Sequence, residues 1–110
     1  MARTPKNLAI GTIAATTLTS IYTAPSGINT TISVLRFTNN TDDNISIVIS
    51  KESASTDYIQ DTITLPAGIS KARIYHGFQR EVVNAGQIIK VQADVASSFN
   101  YDLSGSEVEV

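Results

Sequence analysis

The stretch Thr30 to Phe37, Thr-Thr-Ile-Ser-Val-Leu-Arg-Phe, restricts the possible folds more than any other part of the chain. It is the densest β-forming run, rich in β-branched residues and closing on an aromatic, and β-branched side chains lose rotamer freedom in a helix. Just before it, Tyr22-Thr23-Ala24-Pro25-Ser26-Gly27 marks a reversal. Pro25 fixes its own φ and biases Ala24 toward extended geometry, while Gly27 can take the positive φ that a tight turn requires. Strict alternation puts Ile32 and Val34 on one face and Leu35 and Phe37 on the other. A strand apolar on both faces is central, so the stretch predicts the middle of a β-sandwich.

The remaining runs are short and alternate in the same way. Leu8 to Ile13, bent at Gly11, and Thr16 to Thr23 read either as one bent strand or as a hairpin. Asn39-Asn40-Thr41-Asp42-Asp43-Asn44 reads as a hairpin loop, because Asn and Asp bond back to their own backbone. Ile45, Ile47 and Ile49 point inward on a half-buried strand that ends near Ser50, and Lys51 to Thr56 is an exposed connection. Tyr58 to Leu65 closes on Pro66-Ala67-Gly68, Ser70 to Phe78 forms the next run, and Asn84-Ala85-Gly86 turns into Gln87 to Val95. Phe99, Tyr101 and Leu103 alternate with polar residues before Gly105, which separates them from the alternating end Glu107-Val108-Glu109-Val110.

No segment holds a helical period over three turns. About seven to nine short strands with regular turn signals predict an all-β fold, a single-domain antiparallel β-sandwich of jelly-roll or immunoglobulin-like type. Residues 1 to 110 make one domain, with 1 to 6 a basic N-terminal arm and 106 to 110 an acidic C-terminal tail.

Composition narrows the function classes. Hydrophobic residues at 42% against 16% charged describe a chain that folds. A formal net charge of −2, with scattered Lys and Arg, argues against nucleic-acid binding, which needs clustered positive charge. The chain has no cysteine, which excludes disulfides and thiolate metal sites. No stretch approaches the roughly 20 apolar residues of a membrane helix, and Leu8 to Ala15 is too mixed for a signal-peptide core. Production in the cytoplasm is expected.

Catalytic signals are sparse. His76 is the single histidine and reads as a structural or rim residue, and no G-x-S-x-G elbow occurs. Asp42 and Asp43 could offer oxygen ligands to calcium, but their spacing fits a solvated turn better. Tyr58, Tyr75 and Phe78 could stack on a sugar, although rim packing explains them as well. Asn29, Asn39 and Asn44 begin Asn-x-Ser/Thr triplets, which without a secretory signal are not expected to be glycosylated. No cofactor, metal site or catalytic residue is expected.

The order Tyr22-Thr23-Ala24-Pro25-Ser26-Gly27, Pro66-Ala67-Gly68, Asn84-Ala85-Gly86-Gln87-Ile88-Ile89-Lys90-Val91 and Leu103-Ser104-Gly105-Ser106-Glu107 resembles the small β-sandwich virion proteins of tailed bacteriophages. The likeness spans about Thr17 to Glu107, with Gln87 where those proteins commonly carry Asp. It implies a non-enzymatic virion structural protein, a capsid decoration or cement protein in the first instance. A tail or neck accessory protein is the alternative within that class, and a carbohydrate-binding host-recognition module the alternative outside it. The implied partners are the major capsid protein or other virion proteins and further copies of the chain, with no nucleic acid and no membrane. Arg3 and Lys6 in the basic arm, and Glu107, Val108, Glu109 and Val110 in the acidic tail, are the expected assembly contacts, the tail by adding to a neighbour's sheet edge.

Overall fold

A computed structural model describes residues 3–13, 16–66, 72–74, 81–95 and 98–109. Among these residues nine strands form two antiparallel sheets: β1 (Arg3–Thr12), β2 (Thr19–Thr23), β3 (Ile28–Asn39), β4 (Ile45–Ser53), β5 (Thr56–Leu65), β6 (Ala72–Ile74), β7 (Val82–Val83), β8 (Ile88–Ala93) and β9 (Phe99–Glu109). One sheet runs β1-β9-β3-β6, with β7 also on β3, and the other runs β2-β8-β4-β5. Strands β6 and β7 pair with opposite ends of β3, at Arg36 to Thr38 and at Thr30 to Thr31. They therefore share one position, and each sheet has four.

The pairings β1 with β9, β2 with β8, β3 with β6 and β7, and β4 with β5 are those of one long antiparallel ribbon rolled up on itself. That is the jelly roll. An immunoglobulin-like arrangement would pair more strands that follow each other in sequence, whereas among the described strands β4 and β5 alone do so. Among the described residues, sixteen buried apolar side chains fill the space between the sheets, including Ile32, Leu35, Ile47, Ile49, Val91 and Leu103. At their centre Phe37 and Phe99 meet edge to face, with centroids 5.4 Å apart at 89°, the arrangement their ring quadrupoles favour.

Two turns of one geometry carry the chain between sheets. Ile28 N–H donates to Pro25 O with Gly27 at φ 76°, and Gln87 N–H donates to Asn84 O with Gly86 at φ 85°. Both glycines hold the positive φ of a type II turn. The turns are tied together, since Ala24 N–H donates to Gln87 O at 3.0 Å and Gly86 N–H to Ala24 O at 2.9 Å.

Several expectations are corrected by the pairing. The runs before Thr23 form neither a bent strand nor a hairpin, because β1 and β2 lie in different sheets. Strand β3 is not apolar on both faces. Its register against β9 shifts between Ile32 and Val34, so Ser33 is an extra residue and the phase of the alternation flips. Ile32, Leu35 and Phe37 all reach the core, and Val34 faces solvent.

The segment 39–44 is a crossover between sheets and not a hairpin loop, since β3 and β4 belong to different sheets. The connection expected at 51–56 shrinks to Ala54 and Ser55, because Ser53 already pairs with Thr56. Both carry positive φ, 51° and 66°, as a two-residue hairpin turn demands.

Neither residues 3 to 6 nor residues 106 to 109 stand free of the sandwich. Residues 3 to 6 pair with Val108 to Gly105, and β9 continues through Gly105 to Glu109, flanked by β1 and β3. Residues 106 to 109 of the stretch read as an acidic tail are the last part of β9, an inner strand of its sheet. Gly105 does not interrupt it but permits it, as a Cβ there would meet Thr31 O at 2.2 Å.

Candidate functional site

Two of the charged residues expected at the termini, Lys6 and Glu107, meet each other. Lys6 Nζ lies 3.0 Å from Glu107 Oε1, and the Tyr22 hydroxyl donates to Glu107 Oε2 at 2.8 Å. The same hydroxyl lies 2.7 Å from Oγ1 of buried Thr30. Tyr22 belongs to the opposite sheet from the other three, so the cluster clips the two sheets together. Val108 pairs with both Arg3 and Asn29 and so offers no open strand edge, and Glu109 pairs with Ile28. Val110 lies outside the described residues.

Burial, first, pushes the Tyr22 phenol up to about 12, with the Glu107 carboxylate adding to the rise against the Thr30 bond. Glu107 is held below the ordinary carboxylate value by the hydrogen bond from Tyr22 and then by Lys6. A carboxyl depressed in the folded state contributes stability above its unfolded pKa, lost as pH falls. A phenol raised in the folded state contributes below about 10 and loses it as pH climbs through about 12. Tyr22→Phe is expected to cost about 1 kcal/mol at neutral pH and to flatten melting temperature against pH at both ends. A thermal titration with unchanged slopes would refute the clip.

Strand β5 is the second feature. It ends the β2-β8-β4-β5 sheet, so its outer backbone groups at Asp57 to Thr62 have no strand partner among the described residues. Tyr58 and Ile59 are 54% and 58% exposed. The pairing with β4 slips between Ile49 and Ser50, making Gln60 a bulge. Lys90 Nζ, from β8, bridges Glu52 at 2.5 Å and Asp57 at 3.0 Å on the two arms of this hairpin, whereas Asp61 accepts from the neighbouring Thr62 N–H at 2.8 Å.

The third feature is an open cleft of about 390 Å³ lined by Ile10, Gly11, Thr12, Arg36, Thr38, Asn100, Tyr101 and Asp102. Register explains the grouping. Ile10, Asp102 and Arg36 sit abreast on β1, β9 and β3, and Thr12, Asn100 and Thr38 sit abreast two residues along each strand. Because Leu35, Phe37, Phe99 and Leu103 point into the core, these six project from the sheet's outer face.

Comparison adds no identity. No family model, curated protein or solved structure matches this chain. Its site must be read from its own residues.

His76, Tyr75 and Phe78 lie outside the described residues, which leaves Tyr58 as the described member of the aromatic set. Asp42 and Asp43 are exposed, and Asp43 engages the crossover through its backbone carbonyl. No metal-holding group of three His, Cys, Asp or Glu occurs among the described residues. Asn39 is fully buried with both amide protons donated, to Asp43 O and Pro66 O. Sequence reasoning missed β5 as an open edge and missed the cleft, since both depend on which strands become neighbours.

Proposed function

We propose that this chain is a non-enzymatic structural protein of a virion, a decoration protein that binds the assembled capsid through the open edge of β5. The observation that carries the reading is the exposure of Tyr58 and Ile59 along an edge strand. An edge of unpaired N–H and C=O groups is a template for another strand, and proteins that do not use such an edge shorten or cover it. The bulge at Gln60 and the carboxylate of Asp61 limit which strands can add there, favouring a partner that brings a basic residue opposite Asp61. The jelly roll is used widely in virion proteins and also in lectins, so the fold supports the class by analogy alone. The resemblance in the turn motifs supports the virion.

Decoration acts by mass action, because a subunit that binds the assembled lattice and not its free parts stabilises the lattice. Purified protein mixed with undecorated capsids and pelleted is expected to bind saturably, in a ratio set by lattice symmetry, and to raise the capsid melting temperature. Ile59→Lys, at a solvent-facing position, is expected to weaken binding by about tenfold or more while leaving the free protein's melting temperature nearly unchanged. Absence of capsid binding by the native chain would move the assignment to the tail or neck. Binding that Ile59→Lys leaves intact would remove β5 as the contact.

A further inference from the structure

We propose that the outer face of the β1-β9-β3 layer carries a binding site for a neutral saccharide, centred on Arg36, Asn100 and Asp102. The site is separate from the β5 edge and stands whether or not that edge binds a capsid.

Its polar groups are held in place yet left partly unused. Asp102 Oδ1 accepts from Asn7 Nδ2 at 2.7 Å, and Oδ2 lies 3.5 Å from Arg36 Nη2. That long contact is the guanidinium's one polar contact among the described residues, and half of the Arg36 side chain is exposed. Asn100 Oδ1 accepts from Thr12 Oγ1 at 2.5 Å and from Asn40 Nδ2 at 2.9 Å. These bonds fix the amide plane, and Asn100 Nδ2 has no partner among the described residues. The Thr38 hydroxyl has none either. Beside them Ile10, 70% exposed, supplies an apolar wall.

Spacing and chemistry select the ligand. Two strand intervals cover about 10 Å, and alternate residues along a strand lie about 7 Å apart. That is the footprint of one or two sugar rings. Sugar hydroxyls both donate and accept, which matches a carboxylate, an amide and a guanidinium presented together. Ile10 would meet the ring's C–H face. A phosphate or carboxylated sugar would place its charge beside Asp102, whose carboxylate already offsets Arg36, so a neutral ring fits better. To a peptide's apolar side chains the cleft offers Ile10 and the Tyr101 ring, against five polar side chains in the lining. An open cleft predicts a weak single site, with a dissociation constant on the order of millimolar, which many copies arrayed together would convert into avidity.

The test is an NMR titration of the full chain with glucose, galactose, mannose and N-acetylglucosamine, with glucuronate in parallel. At least one neutral sugar is expected to shift the Asn100 side-chain amide and the backbone signals of Ile10, Gly11 and Asp102 saturably. Arg36→Ala and Asn100→Ala are each expected to weaken that binding about tenfold, while melting temperatures show both variants folded. The proposal is overturned by no saturable shift with any neutral sugar, by shifts confined to another surface, by affinity unchanged in both folded variants, or by tighter binding of glucuronate than of every neutral sugar.

Discussion

Gly105→Ala is expected to lower the melting temperature by roughly 12 °C, equivalent to about 3 kcal/mol in a domain of this size. The methyl group would meet Thr31 O at 2.2 Å, with Ile32 Cα and Leu8 Cδ1 both at 3.2 Å. The first of these is backbone of the neighbouring strand, which a rotamer change cannot move aside. Both neighbours of β9 bulge close to this point, β3 between Ile32 and Val34 opposite Gly105 and Ser104, and β1 between Asn7 and Ala9 opposite Ser104 and Leu103. Gly105 thus sits where three backbones crowd together, and relief would require β9 to part from β3. Chemical or thermal denaturation gives the reading. A Gly105→Ala protein as stable as the parent would mean that the strands are spaced more widely than the structure has them.

Asn39→Ala is expected to cost about 3 kcal/mol, because one side chain closes four hydrogen bonds at a buried crossover. Asn39 Nδ2 donates to Asp43 O at 2.9 Å and to Pro66 O at 2.7 Å. Oδ1 accepts from Thr41 N–H, and from Thr41 Oγ1 when that hydroxyl is not turned toward Asp43 O. The residue joins the end of β3 to the end of β5, which no backbone ladder does. Asn39→Asp tests the donors separately. It would set a carboxyl oxygen against two carbonyls, so the folded state would favour the protonated acid and raise its pKa. The variant should then be most stable in acid and lose stability as pH rises through that raised pKa. An Asn39→Asp protein with the parent's stability at neutral pH would show that the donated bonds contribute little.

The strands themselves were legible wherever a run obeys one local rule. Ile45, Ile47 and Ile49 alternate without interruption and are all buried, and the Pro25 to Gly27 and Asn84 to Gly86 signals mark two glycine turns among the described residues, while Pro66-Ala67-Gly68 runs outside them. Legibility failed where the rule is broken by pairing. The bulge at Ser33 has no sequence mark of its own, and reading straight through it gave β3 a second apolar face that it lacks. The tight turn at Ala54 and Ser55 carries neither Asn nor Gly, the usual signal for positive φ, and so read as part of a longer loop.

The candidate site was less legible than the fold for the same reason. Lys6 and Glu107 read as assembly residues from their charge and their position near the termini. Yet they lie 101 residues apart in sequence and 3.0 Å apart in space, and each occupies the other. Arg36, Asn100 and Ile10 carry no motif, and they become a site because β9 lies between β1 and β3.

Alternation and turn chemistry are properties of a few consecutive residues, so they specify an all-β chain and most of its strands without reference to anything distant. Strand order, the bulges, the need for glycine at 105 and the grouping of the cleft arise from contacts between residues far apart in the chain. Those contacts follow from how the ribbon rolls to bury one shared apolar core at once, which no local segment encodes.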